Sequence, residues 1–245
     1  MIPVVSPTKG RAGKCLTVNA VAPLILCVSE SEKAEYEAAY PDHELLIHPD
    51  SVLGLSPKRQ WICDTVGDVL MVDDDLMALV QTHDPDIASR KTPEEAFDII
   101  QHVAGVANKM KVYLWGLANS HDARYYDANR PFRTSGYING DCIGLFAGSR
   151  LKWPEDPACA VGDFYISAMN AYYYRNIWTD TRWGFQQKGT FHGEGGLANW
   201  RTLEQEEADL GMLRKLFGRA IDTKVKPSTA GSGAHRFEKV LRVPW

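Results

Sequence analysis

Short apolar runs alternate with stretches of helical composition along the first half of the chain. The apolar runs predict strands over residues 2–6, 24–28, 44–48, 69–72 and 112–117. Capping residues and composition predict helices between them, over residues 29–40, 56–66 and 93–110. This alternation predicts a largely parallel sheet that is covered by helices on both faces.

The second half of the chain is less regular. Residues 137–146 mix glycine, asparagine and aspartate with apolar residues, which predicts a strand interrupted by a close backbone approach. Two further helices are predicted over residues 163–175 and 203–220, with a strand within residues 172–178. The remaining segments are a polar loop, a glycine-rich stretch and a linker, over residues 119–133, 179–202 and 224–235.

Composition limits the architecture to one sizeable α/β core. The chain has 245 residues, of which 44% are hydrophobic, and a net charge of −4. We predict a single domain over residues 1–222 and a tail or linker over residues 223–245 that packs on it. Five scattered cysteines without a CxxC pair predict free thiols, and no segment approaches the roughly 18 apolar residues of a membrane span. We therefore expect a cytoplasmic protein without a membrane partner.

Three consecutive carboxylates, Asp73, Asp74 and Asp75, follow the apolar run Val69–Val72 directly. They are predicted to lie at the carboxyl edge of the sheet, where open α/β sheets bind ligands. Side chains alternate along extended chain, so Asp73 and Asp75 are expected to face one way and Asp74 another. Two converging carboxylates favour a hard cation, Mg²⁺ or Mn²⁺, that also binds phosphate oxygens. The alternative is a solvated acidic turn.

The acidic triplet belongs to a longer pattern. Residues 54–61 read Gly-Leu-Ser-Pro-Lys-Arg-Gln-Trp, and Gly-Asp-Val-Leu-Met-Val leads into the triplet. This order resembles the central block of GT-A glycosyltransferases, where a helix bearing Arg-Asn or Arg-Gln precedes a strand ending in a DxD motif. Ser-Pro-Thr-Lys-Gly-Arg at residues 6–11 resembles the opening nucleotide-binding loop of that family. The chain most closely resembles the TET/JBP-associated glycosyltransferases, which phages and some eukaryotes encode.

The resemblance implies a GT-A fold, which is a single Rossmann-like α/β domain with a mostly parallel central sheet and helices on both faces. It also implies a nucleoside-diphosphate sugar as donor, with a UDP-sugar favoured, and a Mn²⁺ or Mg²⁺ ion that bridges the aspartates and the diphosphate. Asp75 is then the expected direct metal ligand, and Asp73 is expected to hold the metal or the ribose. Asp74 is the ambiguous member and is assigned to donor binding.

Basic residues in the same block are suited to the diphosphate, because guanidinium and ammonium groups donate charge-assisted hydrogen bonds. We expect this role for Lys9 and Arg11 in the first loop and for Arg59 on the following helix. For Lys9 a solvated surface position is an equal alternative.

The resemblance also implies residues late in the chain. Family members often place a catalytic carboxylate at the start of a late helix, and Asp163 matches that place, although Val-Gly stands before it instead of the usual Glu. The alternatives are that Asp163 is only a helix cap and that Asp156 is the base. His192 is the candidate late metal ligand, and Arg201 and Lys188 are candidates for closing on the phosphates.

The expected acceptor, by subgroup resemblance, is a 5-hydroxymethylpyrimidine in phage DNA, which must leave the base stack to reach a pocket. Candidate phosphate contacts are Arg124, Arg130, Arg133, Lys224, Lys226, Arg236, Lys239 and Arg242. The aromatic residues 172–174, Trp178 and Trp183 either line an acceptor site or belong to the core. Two other functions stay open: a nucleotidyltransferase, and a non-catalytic module that binds a nucleotide sugar or DNA.

Overall fold

The computed structural model describes residues 1–84, 86, 89–187, 203–225 and 237–242. The strands in these residues are β1 (Val4–Pro7), β2 (Ile25–Ser29), β3 (Leu45–His48), β4 (Val69–Val72), β5 (Leu76–Gln81), β6 (Leu114–Leu117), β7 (Phe132–Arg133), β8 (Cys142–Leu145), β9 (Trp178–Asp180), β10 (Trp183–Gln187), β11 (Ile221–Val225) and β12 (Phe237–Leu241). The α-helices are α1 (Lys33–Ala39), α2 (Leu55–Val66), α3 (Pro93–Lys109), α4 (Gly162–Tyr173) and α5 (Leu203–Phe217).

Eight of these strands form the central sheet, in the order β3-β2-β1-β4-β8-β6-β9-β7. Strands β3, β2, β1 and β4 pair in parallel, and β6 pairs in parallel with β9. Strand β8 lies antiparallel between β4 and β6, and β7 is antiparallel to β9. The predicted mostly parallel sheet is therefore confirmed, with one reversed strand inside it.

Helices cover both faces of the sheet, as predicted. Successive residues of β4 alternate between two core clusters: Leu70 packs with residues of α1 and α3, whereas Met71 packs with residues of α2 and α4. All four residues of β4 are buried. A strand that is covered on both sides has no polar face, which explains why β4 reads as an unbroken apolar run.

Local signals in the sequence account for the helix starts that border the cleft and the sheet. Thr92 and Glu95 cap α3 reciprocally, each side chain accepting a hydrogen bond from the other residue's backbone N–H. Helix α2 begins after Gly54, whose φ is +82° and whose missing Cβ would lie 2.3 Å from the Pro157 carbonyl oxygen. Only glycine fits this position, so the start of α2 is held against the segment that precedes α4.

Two small antiparallel sheets lie outside the pattern that the sequence predicted. Strand β5 was not predicted, and it pairs with β10 within the stretch expected to be irregular. Strands β11 and β12 pair with each other, so the proposed boundary at residue 222 falls inside a strand. The predicted strand within residues 172–178 is wrong for most of that stretch, because α4 continues to Tyr173 and β9 begins at Trp178.

One residue of β11 and one of β12 pack on the rest of the domain. Leu241 of β12 and Ile221 of β11 belong to a core cluster with Cys159, Val161 and Leu213. Whether residues 223–245 form a separate tail stays a prediction. Among the helices in the described part of the chain, none has both the length and the apolar character needed to cross a bilayer.

Candidate active site

The acidic triplet joins two sheets. Strand β4 ends at Val72, and after Asp73, Asp74 and Asp75 the chain enters β5, which leaves the central sheet and pairs with β10. Asp73 and Asp75 line a cleft of about 140 Å³ at this edge. Other polar residues of the cleft wall come from four different segments: Arg59, Asn139, Asp141, Asp163 and Gln187.

Arg59 is the central cation of this cleft. It is 3% exposed, and one of its terminal nitrogens donates hydrogen bonds to Asp73 (2.8 Å) and to the Gly140 carbonyl oxygen (2.6 Å). Its guanidinium carbon also lies 5.1 Å from the centroid of the Trp153 ring. Arg59 therefore links α2, the end of β4 and the segment before β8.

The segment before β8 approaches Arg59 closely because residue 140 is glycine. A Cβ at Gly140 would lie 2.9 Å from an Arg59 nitrogen and 3.2 Å from the Asp163 Cβ. The predicted close backbone approach is found here, and β8 begins only at Cys142. Any larger residue at position 140 would push the guanidinium and the Asp163 carboxylate apart.

Asp163 lies in the first turn of α4, where its carboxylate faces the cleft. One carboxylate oxygen accepts a hydrogen bond from the Phe164 N–H at 2.8 Å. The other accepts a short hydrogen bond from the Tyr137 hydroxyl and a longer one from the Gly140 N–H at 3.3 Å. Burial, together with the neighbouring Asp163 charge, raises the pKa of Tyr137 well above its usual value, so the tyrosine is a hydrogen-bond donor here.

Asp141 is a cleft residue that the sequence did not single out. It is 8% exposed, and its carboxylate accepts a hydrogen bond from the Gln187 side chain at 2.8 Å. Its carbonyl oxygen accepts a hydrogen bond from the Asp73 N–H at 3.0 Å. Burial raises the pKa of Asp141 well above its usual value, and repulsion by Asp73 and Asp163 raises it further.

Asp74 points away from this cleft into the first loop. Its two carboxylate oxygens accept hydrogen bonds from Thr8 (2.7 Å) and Arg11 (2.6 Å). The Thr8 hydroxyl also bonds to the Tyr36 hydroxyl, which in turn accepts from the Arg11 N–H. We call Thr8, Arg11, Tyr36 and Asp74 the first-loop network; it holds the loop after β1 against the loop after β4.

Two lysines near this loop have different environments. Lys9 is exposed, whereas Lys58 is buried and donates a hydrogen bond to the Thr8 carbonyl oxygen at 2.8 Å. Burial lowers the pKa of Lys58. Lys58 precedes Arg59 in the same helical turn, and its charge faces the loop that the resemblance assigned to the donor nucleotide.

Negative charge exceeds positive charge in the cleft. The side chains of Asp73, Asp75, Asp141 and Asp163 meet one guanidinium, that of Arg59. Burial raises the pKa of Asp73 to about 6, since the attraction of Arg59 does not offset desolvation and the repulsion of the neighbouring carboxylates. A bound divalent cation would remove this imbalance, so the donor set fits a hard metal ion.

The described residues do not form a complete metal cage, since no group of three or more potential ligands is suitably placed among them. In a typical Mg²⁺ site, one or two carboxylates bind the ion, and phosphate oxygens and water fill its other coordination positions. His192, Arg201 and Lys188 lie outside the described residues, so their roles stay predictions.

The other candidates are placed away from the cleft wall. Asp156 is exposed and accepts a hydrogen bond from the Ala158 N–H. Tyr172 and Tyr173 are exposed at the end of α4, whereas Asp163 is at its start. Trp178 and Trp183 pack with the core. Of the two alternatives given for the tryptophans, the structure supports the core.

Several residues at the cleft were not singled out from the sequence, because only the order and direction of the strands bring them there. Asn139, Gly140 and Asp141 precede β8, and only the antiparallel pairing of β8 with β4 brings them to the acidic edge. Tyr137 and Gln187 are recognisable only through their contacts with Asp163 and Asp141. A polar Asn-Gly-Asp turn before an apolar strand was the one available sequence signal.

Comparison with known proteins agrees with the motif order. A family model described as TET-Associated Glycosyltransferase matches residues 2–193. The chain belongs to this family. The matched region of this TET-associated glycosyltransferase contains every residue named above as part of the cleft wall, and it ends before α5.

Searches for other relatives add little to this assignment. No curated protein matches the sequence significantly. One solved structure, of CMP:2-keto-3-deoxy-manno-octonic acid synthetase complexed with CTP, is similar over 87% of this TET-associated glycosyltransferase and 99% of its own chain. The sequence identity is 12% and the TM-score is 0.37.

Proposed function

We propose that this glycosyltransferase is metal-dependent and moves a sugar from a nucleoside-diphosphate sugar, with UDP-sugars favoured, to a hydroxymethylpyrimidine in DNA. The observation that carries the proposal is the charge imbalance of the cleft. Asp73 and Asp75 face it together, whereas the first-loop network already neutralises Asp74. The divalent ion that accompanies a nucleotide sugar would supply the positive charge that these carboxylates lack.

Asp73 and Asp75 would hold the ion, which is Mn²⁺ or Mg²⁺. When bound, it supplies a Lewis acid that stabilises negative charge on the departing diphosphate. Arg59 keeps the Asp73 carboxylate oriented through their 2.8 Å hydrogen bond. A direct contact from Arg59 to the diphosphate stays a prediction; one terminal nitrogen of the guanidinium already bonds to both Asp73 and Gly140.

The first loop is suited to the donor diphosphate. Arg11 is held by Asp74, and the exposed Lys9 precedes it in the same loop. Lys58 adds a buried positive charge beneath this loop. Three cations near one backbone turn match a ligand with two phosphates. Asp74 then acts on the donor indirectly, by orienting Arg11.

Asp163 is the proposed general base. It lines the same cleft as Asp73, and Tyr137 and Gly140 hold one of its carboxylate oxygens. In an inverting transfer it accepts the proton of the attacking hydroxyl. The hydrogen bond from the Phe164 N–H keeps the carboxylate at the helix N-terminus, where the negative charge is favoured.

A donor-turnover assay tests the proposal. The full chain is incubated with a panel of nucleotide sugars, with Mn²⁺, Mg²⁺ or chelator, and with DNA that contains or lacks 5-hydroxymethylcytosine. We expect release of nucleoside diphosphate that needs the metal ion, and a mass increase of one sugar per modified base in the DNA.

Two results would contradict parts of the proposal. Turnover that persists in chelator rejects metal dependence. Sugar transfer to small alcohols but never to DNA rejects the acceptor and leaves the donor chemistry standing. Incorporation of label from pyrophosphate into a nucleoside triphosphate would instead indicate a nucleotidyltransferase.

A further inference from the structure

Charge is distributed unevenly along the chain. Residues 212–245 contain eight Lys and Arg against two Asp and Glu, a net charge of +6. Residues 1–211 contain 19 against 29, a net charge of −10. The mild overall value of −4 therefore conceals a strongly basic end, and such an asymmetry is typical of chains that bind polyanions.

The described part of this basic end presents its charge to solvent. Arg214 and Lys215 in the last turns of α5, and Arg219 just after them, are all exposed. No described carboxylate lies within ion-pair distance of these three, although Arg214 also donates to the Thr223 hydroxyl at 3.4 Å. Arg242 is exposed too but forms an ion pair with Asp222. We call Arg214, Lys215 and Arg219 the basic surface.

The basic surface is attached to a wall of the cleft. Leu213, the residue directly before Arg214, packs in one cluster with Cys159 and Val161. One turn earlier in α5, Asp209 accepts a hydrogen bond from the Ala160 N–H at 3.0 Å. Cys159 and Ala160 themselves line the cleft. A polyanion on the basic surface would therefore lie beside the entrance to the cleft.

The polar loop over residues 119–133 is a weaker candidate for the same role. Arg124 is paired with Asp122, and Arg182 next to the loop is paired with Asp180. Arg133 donates to the Tyr137 carbonyl oxygen, and burial lowers its pKa. These three arginines already neutralise acidic neighbours or hold backbone. Arg130 is exposed as well, so the loop offers phosphates less positive charge than the three cations of the basic surface.

We propose that the basic surface binds the phosphate backbone of the DNA acceptor and holds it beside the cleft. The identity of the polyanion rests on the proposed function. The family match ends at residue 193, before α5 begins, so this surface lies outside the matched glycosyltransferase region. A membrane fits less well, because Leu216 is the one large exposed apolar side chain among described residues 212–225.

Salt-dependent DNA binding tests this surface. Binding of a short fluorescein-labelled duplex to the full chain is measured by fluorescence anisotropy over a range of salt concentrations. The variant Arg214→Gln/Lys215→Gln/Arg219→Gln is compared with Lys109→Gln/Lys111→Gln/Arg150→Gln. The control removes three exposed cations at the end of α3 and after β8, where β8 ends beside the start of β4, away from the acidic triplet.

The slope of log K against log salt is negative, and we expect the basic-surface variant to make it less steep by about 2.7, for three lost phosphate contacts. The control should leave the slope unchanged. Metal-dependent hydrolysis of the donor should be the same in both variants and the wild type, because none of the substituted residues lines the cleft. Equal slopes in all three proteins would overturn the proposal.

Two further arms separate this proposal from the proposed function. Vesicles with about one-third anionic phospholipid replace DNA in a sedimentation assay. Binding to vesicles that is tighter than binding to DNA and depends on Arg214 would overturn the assignment to nucleic acid.

If wild-type protein binds DNA through these residues but turns over no donor, the basic surface stands and the proposed function fails. If the protein transfers sugar to a free modified nucleoside but the basic-surface variant has the same salt slope as the wild type, the proposed function stands and the basic surface fails.

Discussion

Asp74 and its two neighbours face different parts of the protein although they are consecutive in the chain. Asp74 accepts hydrogen bonds from Arg11 and Thr8, so its charge is balanced within the first-loop network. Asp73 and Asp75 face a cleft with Asp141 and Asp163, where Arg59 is the one cation among the described lining residues. Asp74 therefore supports the first loop, whereas Asp73 and Asp75 are the carboxylates to which we assign the proposed metal ion.

The largest expected effect is on catalysis, from Asp75→Ala. No described residue forms a hydrogen bond or ion pair with the Asp75 side chain, so the free energy of unfolding should change by about 0.5 kcal/mol or less. Turnover of donor should fall about 1,000-fold, because stabilisation by a metal ion is worth several kcal/mol. Steady-state kinetics and thermal unfolding measure the two effects. Unchanged turnover would remove Asp75 from the metal site.

The next effect concerns the base. Asp163→Asn keeps the oxygen that accepts from the Phe164 N–H but removes the proton acceptor, so we expect about a 100-fold loss of transfer with unchanged donor affinity. Tyr137→Phe is the matched control, since it removes the hydrogen bond to Asp163 and leaves the carboxylate. Single-turnover rates and donor titrations separate chemistry from binding. A full transfer rate in Asp163→Asn would reduce Asp163 to a helix-capping role.

Metal binding should depend on pH. Because the folded-state pKa of Asp73 is raised to about 6, its ionisation costs stability in the metal-free protein as pH rises from about 4 to 6. A divalent ion reverses this cost, so Mn²⁺ at about 100 times its Kd should stabilise by about 2.7 kcal/mol at pH 7.5. At pH 5 the effect should be much smaller.

Calorimetry with and without Mn²⁺ at pH 5 and at pH 7.5 measures how the stabilisation by the ion changes with pH. The variant Asp73→Asn should abolish most of the stabilisation at pH 7.5, and the same variant should flatten the fall in metal-free stability between pH 4 and 6. Equal stabilisation of the wild type at pH 5 and pH 7.5 would show that Asp73 does not control metal binding.

The smallest effect tests the balanced carboxylate. Asp74→Ala leaves Arg11 and Thr8 without their partner, so we expect a loss of about 2 kcal/mol in the free energy of unfolding. Asp64→Ala, which breaks the exposed pair with Lys152, should cost less than about 1 kcal/mol. Denaturant unfolding measures both. If Asp74→Ala were as stable as Asp64→Ala, the first-loop network would not have the structural role assigned to it.

Much of the fold was predictable because its signals are local. Buried parallel strands such as β4 read as apolar runs, and the capping box at Thr92 marks the start of α3. Strands β5 and β10 were not predicted, because their pairing joins residues about a hundred positions apart and neither carries a strong turn signal. Nothing in a local pattern reports such a long-range partner.

The site was predictable to a similar extent. Alternation along the chain separated Asp74 from Asp73 and Asp75, and the family resemblance, with a helix predicted from residue 163, indicated Asp163. Asp141 and Tyr137 were missed because their position depends on the reversed strand β8, whose direction no local pattern reveals. The commitment of Arg59 to Asp73 and Gly140 likewise depends on three segments that meet only after folding.

The ribbon formed by β5 and β10 begins next to Asp75 and ends at Gln187, and both of these residues border the cleft. Gln187 pairs with Leu76, the residue after Asp75, and its side chain donates a hydrogen bond to the Asp141 carboxylate. The pairing of β5 with β10 thus connects the chain next to Asp75 with the Asp141 side chain. We therefore expect a ligand that shifts one of these two carboxylates to shift the other as well.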